Sequence, residues 1–219
     1  MLLIFDCDGV LVDSEALACR TDAEVLTGLG IPTTADEIMS RFVGTSLKDM
    51  MAAIEAERGC RLPDDFAERL NRTLFARFET DLTPVPGVAD ALRALPHRRC
   101  VASSSAPERI ALSLRITGLA PFFDHIFSAT QVRRGKPAPD LFLFAAAEMV
   151  FQPQDCLVIE DSKYGVQAAR AAGMRVIGFT GGGHCGPDHG DTLRDAGAHR
   201  VIRRMDELPG MVESLEAAL

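Results

Sequence analysis

The sequence has little that would suit it to bind nucleic acid or to span a membrane. Its 23 lysines and arginines are outnumbered by 31 acidic residues, which gives a formal net charge of −8, and they form no long basic run. Nucleic-acid binding needs concentrated positive charge, so a nucleic-acid partner is not expected. No apolar stretch approaches the ~20 residues that a membrane-spanning helix requires. We therefore predict a protein with neither kind of partner.

The cysteines are too scattered for a disulfide framework or a zinc finger. The six of them are Cys7, Cys19, Cys60, Cys100, Cys156 and Cys185. Such isolated cysteines are typical of a reducing compartment. No basic segment of the kind that begins a secretory signal precedes the first apolar residues. We predict a cytoplasmic protein, and we expect a monomer or a weak homodimer.

The first residues of the chain join an apolar segment to two carboxylates. Residues 1–5 are all apolar, and Asp6 and Asp8 follow them. A short apolar run of this kind is typical of a buried parallel strand, and α/β proteins place their sites at the carboxyl ends of such strands. Side chains alternate along a strand, so Asp6 and Asp8 should face the same way and Cys7 away from them. Neighbouring carboxylates repel each other, which indicates a bound cation.

Residues 16–82 contain helical patterns and no strand pattern. Asp13 or Ser14 can cap the first helix, Thr34 with Glu37 forms a capping-box pattern for the next, and Ser46 is a further candidate cap. The last helical segment has one apolar stripe, formed by Phe66, Leu70, Leu74 and Phe78. Two prolines and a glycine at residues 83–87 then mark a boundary. We predict a helical-bundle cap domain over residues 16–82, inserted into a core domain made of residues 1–15 and 83–219.

Short apolar strands and amphipathic helices alternate through residues 83–219. The predicted strands are 100–103, 126–129, 156–160, 175–179 and 199–202, and a closing helix is predicted over 205–219. This alternation predicts an α/β fold with a Rossmann-like, doubly wound parallel sheet that carries the helical domain as an insertion.

Polar groups follow four of the predicted strands, and a parallel sheet would bring them to one edge. A carboxylate can attack phosphorus and form an acyl phosphate, which is the role we assign to Asp6. Asp8 can donate and then accept the proton, because its charged neighbours should favour its protonated form at the outset. A cation, a hydroxyl and a backbone amide stabilise a transferred phosphoryl group, and Lys136, Ser103 and Ser104 offer these.

The acidic residues of this set also predict a metal ion. Asp6, Asp8, Glu160 and Asp161 offer hard oxygen ligands with no neutral nitrogen or thiolate among them. Ligands of this type select magnesium over zinc. We predict Mg²⁺ as the cofactor.

Four motifs occur in order along the chain: Asp6-Cys7-Asp8-Gly9-Val10, Ala102-Ser103-Ser104, Gly135-Lys136-Pro137-Ala138-Pro139-Asp140 and Glu160-Asp161-Ser162-Lys163-Tyr164-Gly165. Together they resemble the motifs of the haloacid dehalogenase superfamily, in the branch of β-phosphoglucomutases and sugar-phosphate phosphatases. The resemblance implies that the first aspartate is phosphorylated, that the second is the acid/base, that the serine and lysine hold the phosphoryl group, and that the late acidic pair helps to bind magnesium. It also implies a mobile cap and a small phosphorylated metabolite as substrate, with 6-phosphogluconate as the first candidate.

Three other functions are alternatives. Mutases of this branch typically have a histidine where Ala18 stands and an arginine where Leu47 stands, so the resemblance favours a phosphatase over an isomerase. Dehalogenases of the superfamily lack the second aspartate, because carbon–halogen displacement leaves no oxygen to protonate, so Asp8 indicates chemistry at phosphorus. A non-catalytic protein that binds a phosphorylated metabolite would need no acid/base residue.

Two further segments have open interpretations. The segment 41–48 could face the substrate or be an ordinary helix junction, and its candidate specificity residues are Arg41, Thr45, Ser46 and Lys48. The segment 180–190 is rich in glycine and contains His184, Cys185, Asp188 and His189. These side chains could ligate a transition metal and the glycines could cradle a phosphate. Without a strand or helix context for such a loop, we expect a flexible connection.

Overall fold

A single parallel sheet lies at the centre of the computed structural model, which describes residues 1–43 and 45–217. Its strands, numbered in chain order, are β1 (Leu2–Phe5), β2 (Arg98–Ser103), β3 (Ile126–Ser128), β4 (Cys156–Glu160), β5 (Arg175–Phe179) and β6 (Arg200–Ile202). Their spatial order is β3-β2-β1-β4-β5-β6, and every pairing is parallel. The predicted doubly wound α/β sheet is confirmed. The strand order reverses beside β1, where folds of this type place their ligands.

The sheet is buried on both faces because alternate residues of each strand enter different apolar clusters. In β1, Leu3 and Phe5 belong to one cluster, and Leu2 and Ile4 belong to the other. All four side chains are fully buried. This explains why the strand reads as an uninterrupted apolar run rather than as an alternating one. Burial of both faces also places the carboxyl end of β1 in the interior of the molecule.

Ten α-helices are assigned in the described residues. They are α1 (Glu15–Gly28), α2 (Ala35–Phe42), α3 (Leu47–Arg58), α4 (Phe66–Asp81), α5 (Val88–Ala94), α6 (Pro107–Ile116), α7 (Asp140–Glu148), α8 (Lys163–Ala171), α9 (His189–Asp195) and α10 (Leu208–Glu216). The predicted closing helix begins as a 3-10 turn at Met205–Glu207 before α10, and Ala218 and Leu219 lie outside the described residues. No helix in residues 1–43 and 45–217 has the length and apolar content needed to cross a bilayer.

The short helix α9 was not predicted. It has seven residues, begins at the end of the glycine-rich segment and buries only Leu193, so it carries no apolar stripe. A single buried residue gives no helical period to detect.

Helices α1–α4 follow one another between β1 and β2, with no strand between them. They share an apolar cluster of their own, formed by Cys19, Ala23, Leu26, Ile38, Met50, Ile54, Leu62, Phe66 and Leu70. The other half of the α4 stripe, Leu74 and Phe78, packs instead into a cluster of the sheet. The apolar stripe of α4 therefore packs against two separate apolar clusters, one among the helices and one at the sheet. The division of the chain at residues 16 and 82 stays a prediction.

The predicted helix caps form, with two differences. Thr34 Oγ1 accepts from Glu37 N at 3.1 Å, and Ser46 Oγ accepts from Asp49 N at 3.1 Å. The Glu37 carboxylate does not complete a capping box, because it pairs with two arginines. Ser14 precedes α1 but makes no side-chain cap bond. Its hydroxyl is used elsewhere, as described below.

Candidate active site

A cavity of about 450 Å³ lies between the helices α1–α4 and the carboxyl edge of the sheet. All seven polar residues predicted to follow the strands line it: Asp6, Asp8, Ser103, Ser104, Lys136, Glu160 and Asp161. They come from β1, β2 and β4, and from the segment after β3. The sheet therefore brings these distant segments of the chain to one place.

Lys136 joins two of the acidic groups. Its Nζ donates to Asp6 Oδ1 at 2.8 Å, to Glu160 Oε1 at 2.7 Å and to the carbonyl oxygen of Ala102 at 3.1 Å. The side chain is 3% exposed. Burial alone would lower the pKa of Lys136, but the two carboxylates outweigh it and raise the pKa above its ordinary value. The ammonium group is therefore firmly charged.

Asp6 is at the centre of a surplus of negative charge. Burial raises the pKa of Asp6 well above its ordinary value, Lys136 opposes this, and the carboxylates of Glu160, Asp161 and Asp8 raise it further. Asp6, Glu160 and Asp161 each have an oxygen within 4.8 Å of the other two. The ammonium group of Lys136 and the imidazolium of His184, which contacts Asp161, still leave these three carboxylates with a net negative charge, so an additional cation would favour the ionised form of Asp6.

Asp8 has a different environment. Its Oδ1 accepts from Ser14 Oγ at 2.5 Å and from Arg109 Nη2 at 2.8 Å, and its Oδ2 accepts from Ser105 Oγ at 2.6 Å. Burial alone would raise the pKa of Asp8, but Arg109 and the two hydroxyls outweigh it and lower the pKa below its ordinary value. The prediction that the neighbours of Asp8 favour its protonated form is wrong for this arrangement.

The reason is Arg109, which sequence reasoning missed. This residue lies in the first turn of α6, the helix that follows Ser103 and Ser105. The first turn of a helix after a parallel strand lies at the carboxyl edge of the sheet, so a cation there was a usable signal. Ser14 directly precedes α1, but its hydroxyl donates to Asp8 Oδ1 instead of capping that helix.

Two glycines make room for the acidic pair after β4. A Cβ atom at Gly165 would lie 1.7 Å from Glu160 Oε1, and one at Gly9 would lie 1.9 Å from Asp161 Oδ2. Gly9 also has a φ of +80°, a conformation that side-chain-bearing residues rarely adopt. The Oε2 atom of Glu160 accepts from Ser162 N at 2.7 Å. Glu160 is thus held on both oxygens, and neither glycine position tolerates a side chain as the site stands.

The two predicted phosphate-binding serines differ in exposure. Ser103 is buried, its Oγ accepts from Ser105 N at 3.1 Å, and the same oxygen lies 3.5 Å from Asp8 Oδ2. Ser104 is exposed on the cavity wall. Their binding of a phosphoryl group stays a prediction.

The glycine-rich segment 180–190 packs against the site. His184 Nε2 lies 3.0 Å from Asp161 Oδ2, and Gly183 N donates to Asp13 Oδ1 at 2.9 Å. The Nε2 atom of His189 lies 2.5 Å from the carbonyl oxygen of Asp161. These contacts place the segment against the ends of β1 and β4, whereas its flexibility stays a prediction.

The charge of His184 follows from the same contact. Burial alone would lower its pKa, but the hydrogen bonds and charges of Asp161 and Cys185 together outweigh it and raise the pKa of His184 to about 11. The imidazolium therefore neutralises part of the acidic cluster. The only sequence signal was two histidines in one glycine-rich loop, and nothing local linked them to Asp161.

The candidate specificity residues of segment 41–48 divide into two pairs. Thr45 and Ser46 line the cavity. Arg41 forms ion pairs with Glu37 and Glu57, and Lys48 is exposed and outside the cavity wall. Gly44, in the middle of this segment, lies outside the described residues.

Helices α1–α4 also supply cavity residues that the sequence did not single out. They include Glu15, Asp22 and Asn71. Burial raises the pKa of Glu15 to about 7 and that of Asp22 to about 6, although Arg109 opposes both shifts. Ala18 and Leu47 also line the cavity. The two positions that resemblance associates with mutase side chains thus present apolar groups to it.

Comparison with known proteins gives a consistent result. Residues 3–179 match the model of a family described as haloacid dehalogenase-like hydrolase. The chain is 32% identical to a 6-phosphogluconate phosphatase of Escherichia coli over 84% of this chain and 85% of that protein. It is also 32% identical to a phosphorylated carbohydrates phosphatase of Thermotoga maritima, over 97% and 99%. A solved haloacid dehalogenase-like protein of unknown function from Agrobacterium tumefaciens superposes with a TM-score of 0.85 and 42% identity, over 98% of each chain.

Proposed function

The chain belongs to the haloacid dehalogenase-like hydrolases, and we propose that this enzyme is a magnesium-dependent phosphatase that acts on a small sugar phosphate through an aspartyl phosphate on Asp6. Relatives that match most of the chain are named as phosphatases of 6-phosphogluconate and of phosphorylated carbohydrates. The observation that carries the mechanism is the grouping of Asp6 with Lys136 and the acidic pair, at a cavity large enough for a sugar phosphate.

The reaction has two displacements at phosphorus. An oxygen of Asp6 attacks the phosphorus atom, the bond to the sugar oxygen breaks, and that oxygen takes a proton from Asp8. A water molecule then attacks the phosphorus of the aspartyl phosphate and gives a proton to Asp8. Inorganic phosphate leaves and the carboxylate of Asp6 is restored. Lys136, Ser103 and the amide of Ser104 would stabilise the charge on the phosphoryl oxygens.

Asp8 must carry a proton for the first displacement, yet its contacts favour the charged form. These contacts suit the second displacement, in which Asp8 accepts a proton from water. We infer that the ion pair with Arg109 loosens when substrate enters the cavity, since both groups line it. Loss of that pair would raise the pKa of Asp8 and prepare it as an acid.

Asp6, Glu160 and Asp161 fit a magnesium ion. All three are carboxylates, they lie within reach of one another, and burial together with the neighbouring carboxylates raises the pKa of Asp6, a shift that a bound cation would oppose. Oxygen-only ligand sets of this kind suit magnesium. When bound, the ion would offset the negative charge shared by the carboxylates and the phosphoryl group. A part for the Asp8 side chain in metal binding stays a prediction, because its carboxylate is outside this group of three.

A phosphate-release screen tests the proposal. The substrates would be sugar phosphates, sugar acid phosphates, phosphoglycolate and nucleotides, each with magnesium and with a chelator. We expect release from at least one sugar phosphate, loss of release with chelator, and at least a ~1,000-fold lower rate for Asp6→Asn. Asp90→Asn is the matched control, because Asp90 is exposed, lies outside the cavity and forms an ion pair with Arg93 at 2.5 Å. Normal release by the Asp6→Asn variant would contradict the mechanism.

The same assay separates a phosphatase from a mutase. β-Glucose 1-phosphate with a bisphosphate primer should give no glucose 6-phosphate, because Ala18 and Leu47 replace the polar groups of the mutase pattern. Formation of glucose 6-phosphate without net phosphate release would replace the phosphatase proposal with an isomerase. Tight binding of a phosphorylated metabolite with no turnover would indicate a binding protein instead.

A further inference from the structure

A second group of potential metal ligands lies beside the acidic cluster. His184, Cys185 and His189 each offer a ligand atom, and the three atoms lie within 4.8 Å of one another. They belong to the segment 180–190 and the start of α9, and the proposed phosphatase chemistry uses none of them as a reacting group. Two imidazoles and a thiol are softer ligands than the three carboxylates of the proposed magnesium site.

The spacing of these atoms suits a tetrahedral ion. Cys185 Sγ lies 3.5 Å from His184 Nε2. In a tetrahedral zinc site with Zn–S of about 2.3 Å and Zn–N of about 2.0–2.1 Å, a sulfur and a nitrogen are about 3.6 Å apart. The rings of His184 and His189 are also close, with centroids 5.7 Å apart. The ligand atoms therefore need little movement to surround one ion.

Cys185 is in a position to bind a metal as the thiolate. Its Sγ faces the Nε2 atom of His184 and lies within 4.8 Å of the ligand atom of His189. The thiolate is the form that binds metals, so coordination would release the thiol proton.

The position of His184 favours coordination through Nε2. This atom faces both Cys185 Sγ and the Asp161 carboxylate, and the His184 side chain is 3% exposed. An ion bound to Nε2 would take the place of the Asp161 contact, while Nδ1, which has no hydrogen-bond partner among the described residues, lies on the other side of the ring. Cys185 lines a separate cavity of about 600 Å³, which gives an ion a route to the group.

We propose that His184, Cys185 and His189 form a binding site for one soft divalent transition-metal ion of the zinc class, distinct from the magnesium site. Asp161 lies next to both, since His184 Nε2 contacts its carboxylate and His189 contacts its carbonyl oxygen. An ion held by these three residues would thus sit one contact away from the catalytic cavity. The proposal does not depend on the phosphatase proposal.

Titration with Co²⁺ tests the site, because cobalt bound to a thiolate has a strong sulfur-to-metal charge-transfer absorption. The full-length reduced protein, with a reductant that binds no metal, should show this band at one equivalent, and Zn²⁺ should displace it. Asp6→Asn should keep the band, since Asp6 belongs only to the carboxylate group. A band absent from the wild-type protein, or lost in Asp6→Asn, would overturn the proposal.

Two ligand variants and one control complete the experiment. Cys185→Ser and His189→Gln should each weaken Zn²⁺ binding at least about 100-fold, and Cys185→Ser should also abolish the cobalt band. Cys60→Ser is the matched control, because Cys60 is a half-buried free cysteine outside the ligand group. Unfolding curves would identify a ligand variant that fails to fold, in which case the Zn²⁺ affinity of the other ligand variant tests the proposal. Unchanged Zn²⁺ affinity in a folded ligand variant would overturn the proposal.

Discussion

Replacing Arg109 by methionine would test how Asp8 is held. Arg109 and Asp8 form an ion pair at 2.8 Å with side chains that are 21% and 9% exposed. Methionine keeps much of the volume and removes the charge, so Asp8 would retain the hydroxyls of Ser14 and Ser105 as donors. The variant therefore leaves a buried carboxylate without its cation.

The expected cost depends on pH. Removing one partner of a buried ion pair typically costs about 3–5 kcal/mol, and the partial exposure of Arg109 with the remaining hydroxyls favours the lower end, about 3 kcal/mol near pH 7.5. In the wild-type protein the pKa of Asp8 is lowered, so its stabilising contribution is present above the unfolded pKa of about 3.9 and is lost as the pH falls through the folded value.

In the variant, burial is no longer opposed by Arg109, so the pKa of Asp8 should rise above the unfolded value, and the already raised pKa values of Glu15 and Asp22 should rise further in the same direction. The variant then loses stability as the pH rises from about 4 towards that raised pKa. The difference in free energy of unfolding between wild type and variant should consequently increase from about pH 5 to about pH 7.5. Urea unfolding at both pH values measures it.

Arg115→Met is the matched control for this experiment. Arg115 lies in the same helix and pairs with Glu79 at 3.4 Å, but both side chains are about two-thirds exposed. We expect it to change the free energy of unfolding by no more than about 0.5 kcal/mol. The reasoning is refuted if Arg109→Met costs no more than this control, or if its cost does not change with pH.

Three other predictions follow from the site. Gly165→Ala should lower phosphate release at least about tenfold, because its Cβ would meet the Glu160 carboxylate at 1.7 Å, whereas Gly28→Ala, with open space around it, should leave the rate unchanged. Arg41→Ala should change KM by less than about threefold, because surface ion pairs hold that side chain outside the cavity. A tenfold increase in KM would indicate that Arg41 contacts the substrate. Zn²⁺ should inhibit phosphate release by the wild-type enzyme at concentrations that leave the Cys185→Ser variant active, because the ion would bind His184, which contacts the Asp161 carboxylate of the active site. Equal inhibition of both proteins in rate assays would contradict this.

The fold could be predicted because its signals are local. The apolar run of residues 1–5 is typical of a strand that is buried on both faces. The alternation of strands and helices after residue 83 predicts a doubly wound sheet. The position of each polar motif directly after a strand then predicts one shared edge. This is why Asp6, Lys136 and Asp161 could be assigned to one site before any contact was known.

The parts that could not be predicted depend on contacts between distant segments. Arg109 reaches Asp8 across 101 positions of sequence, and it reverses the expected pKa shift of that carboxylate. His184 reaches Asp161 from a glycine-rich loop that has no regular period. Which way Arg41 points was equally undetermined, because a cation between two helices can face either the substrate or neighbouring acids. Local sequence patterns predict where helices and strands lie, whereas the partners of these three side chains depend on how distant segments pack together.

Direct detection of the aspartyl phosphate is the most decisive measurement. The enzyme would be mixed with a sugar phosphate that it hydrolyses, labelled on the phosphoryl group, then quenched in acid within one turnover and digested for mass spectrometry. The account predicts the label on the peptide that contains Asp6, with none on the Asp6→Asn protein. Label on another residue, or turnover by the wild-type enzyme with no label on Asp6 at any quench time, would contradict the proposed mechanism.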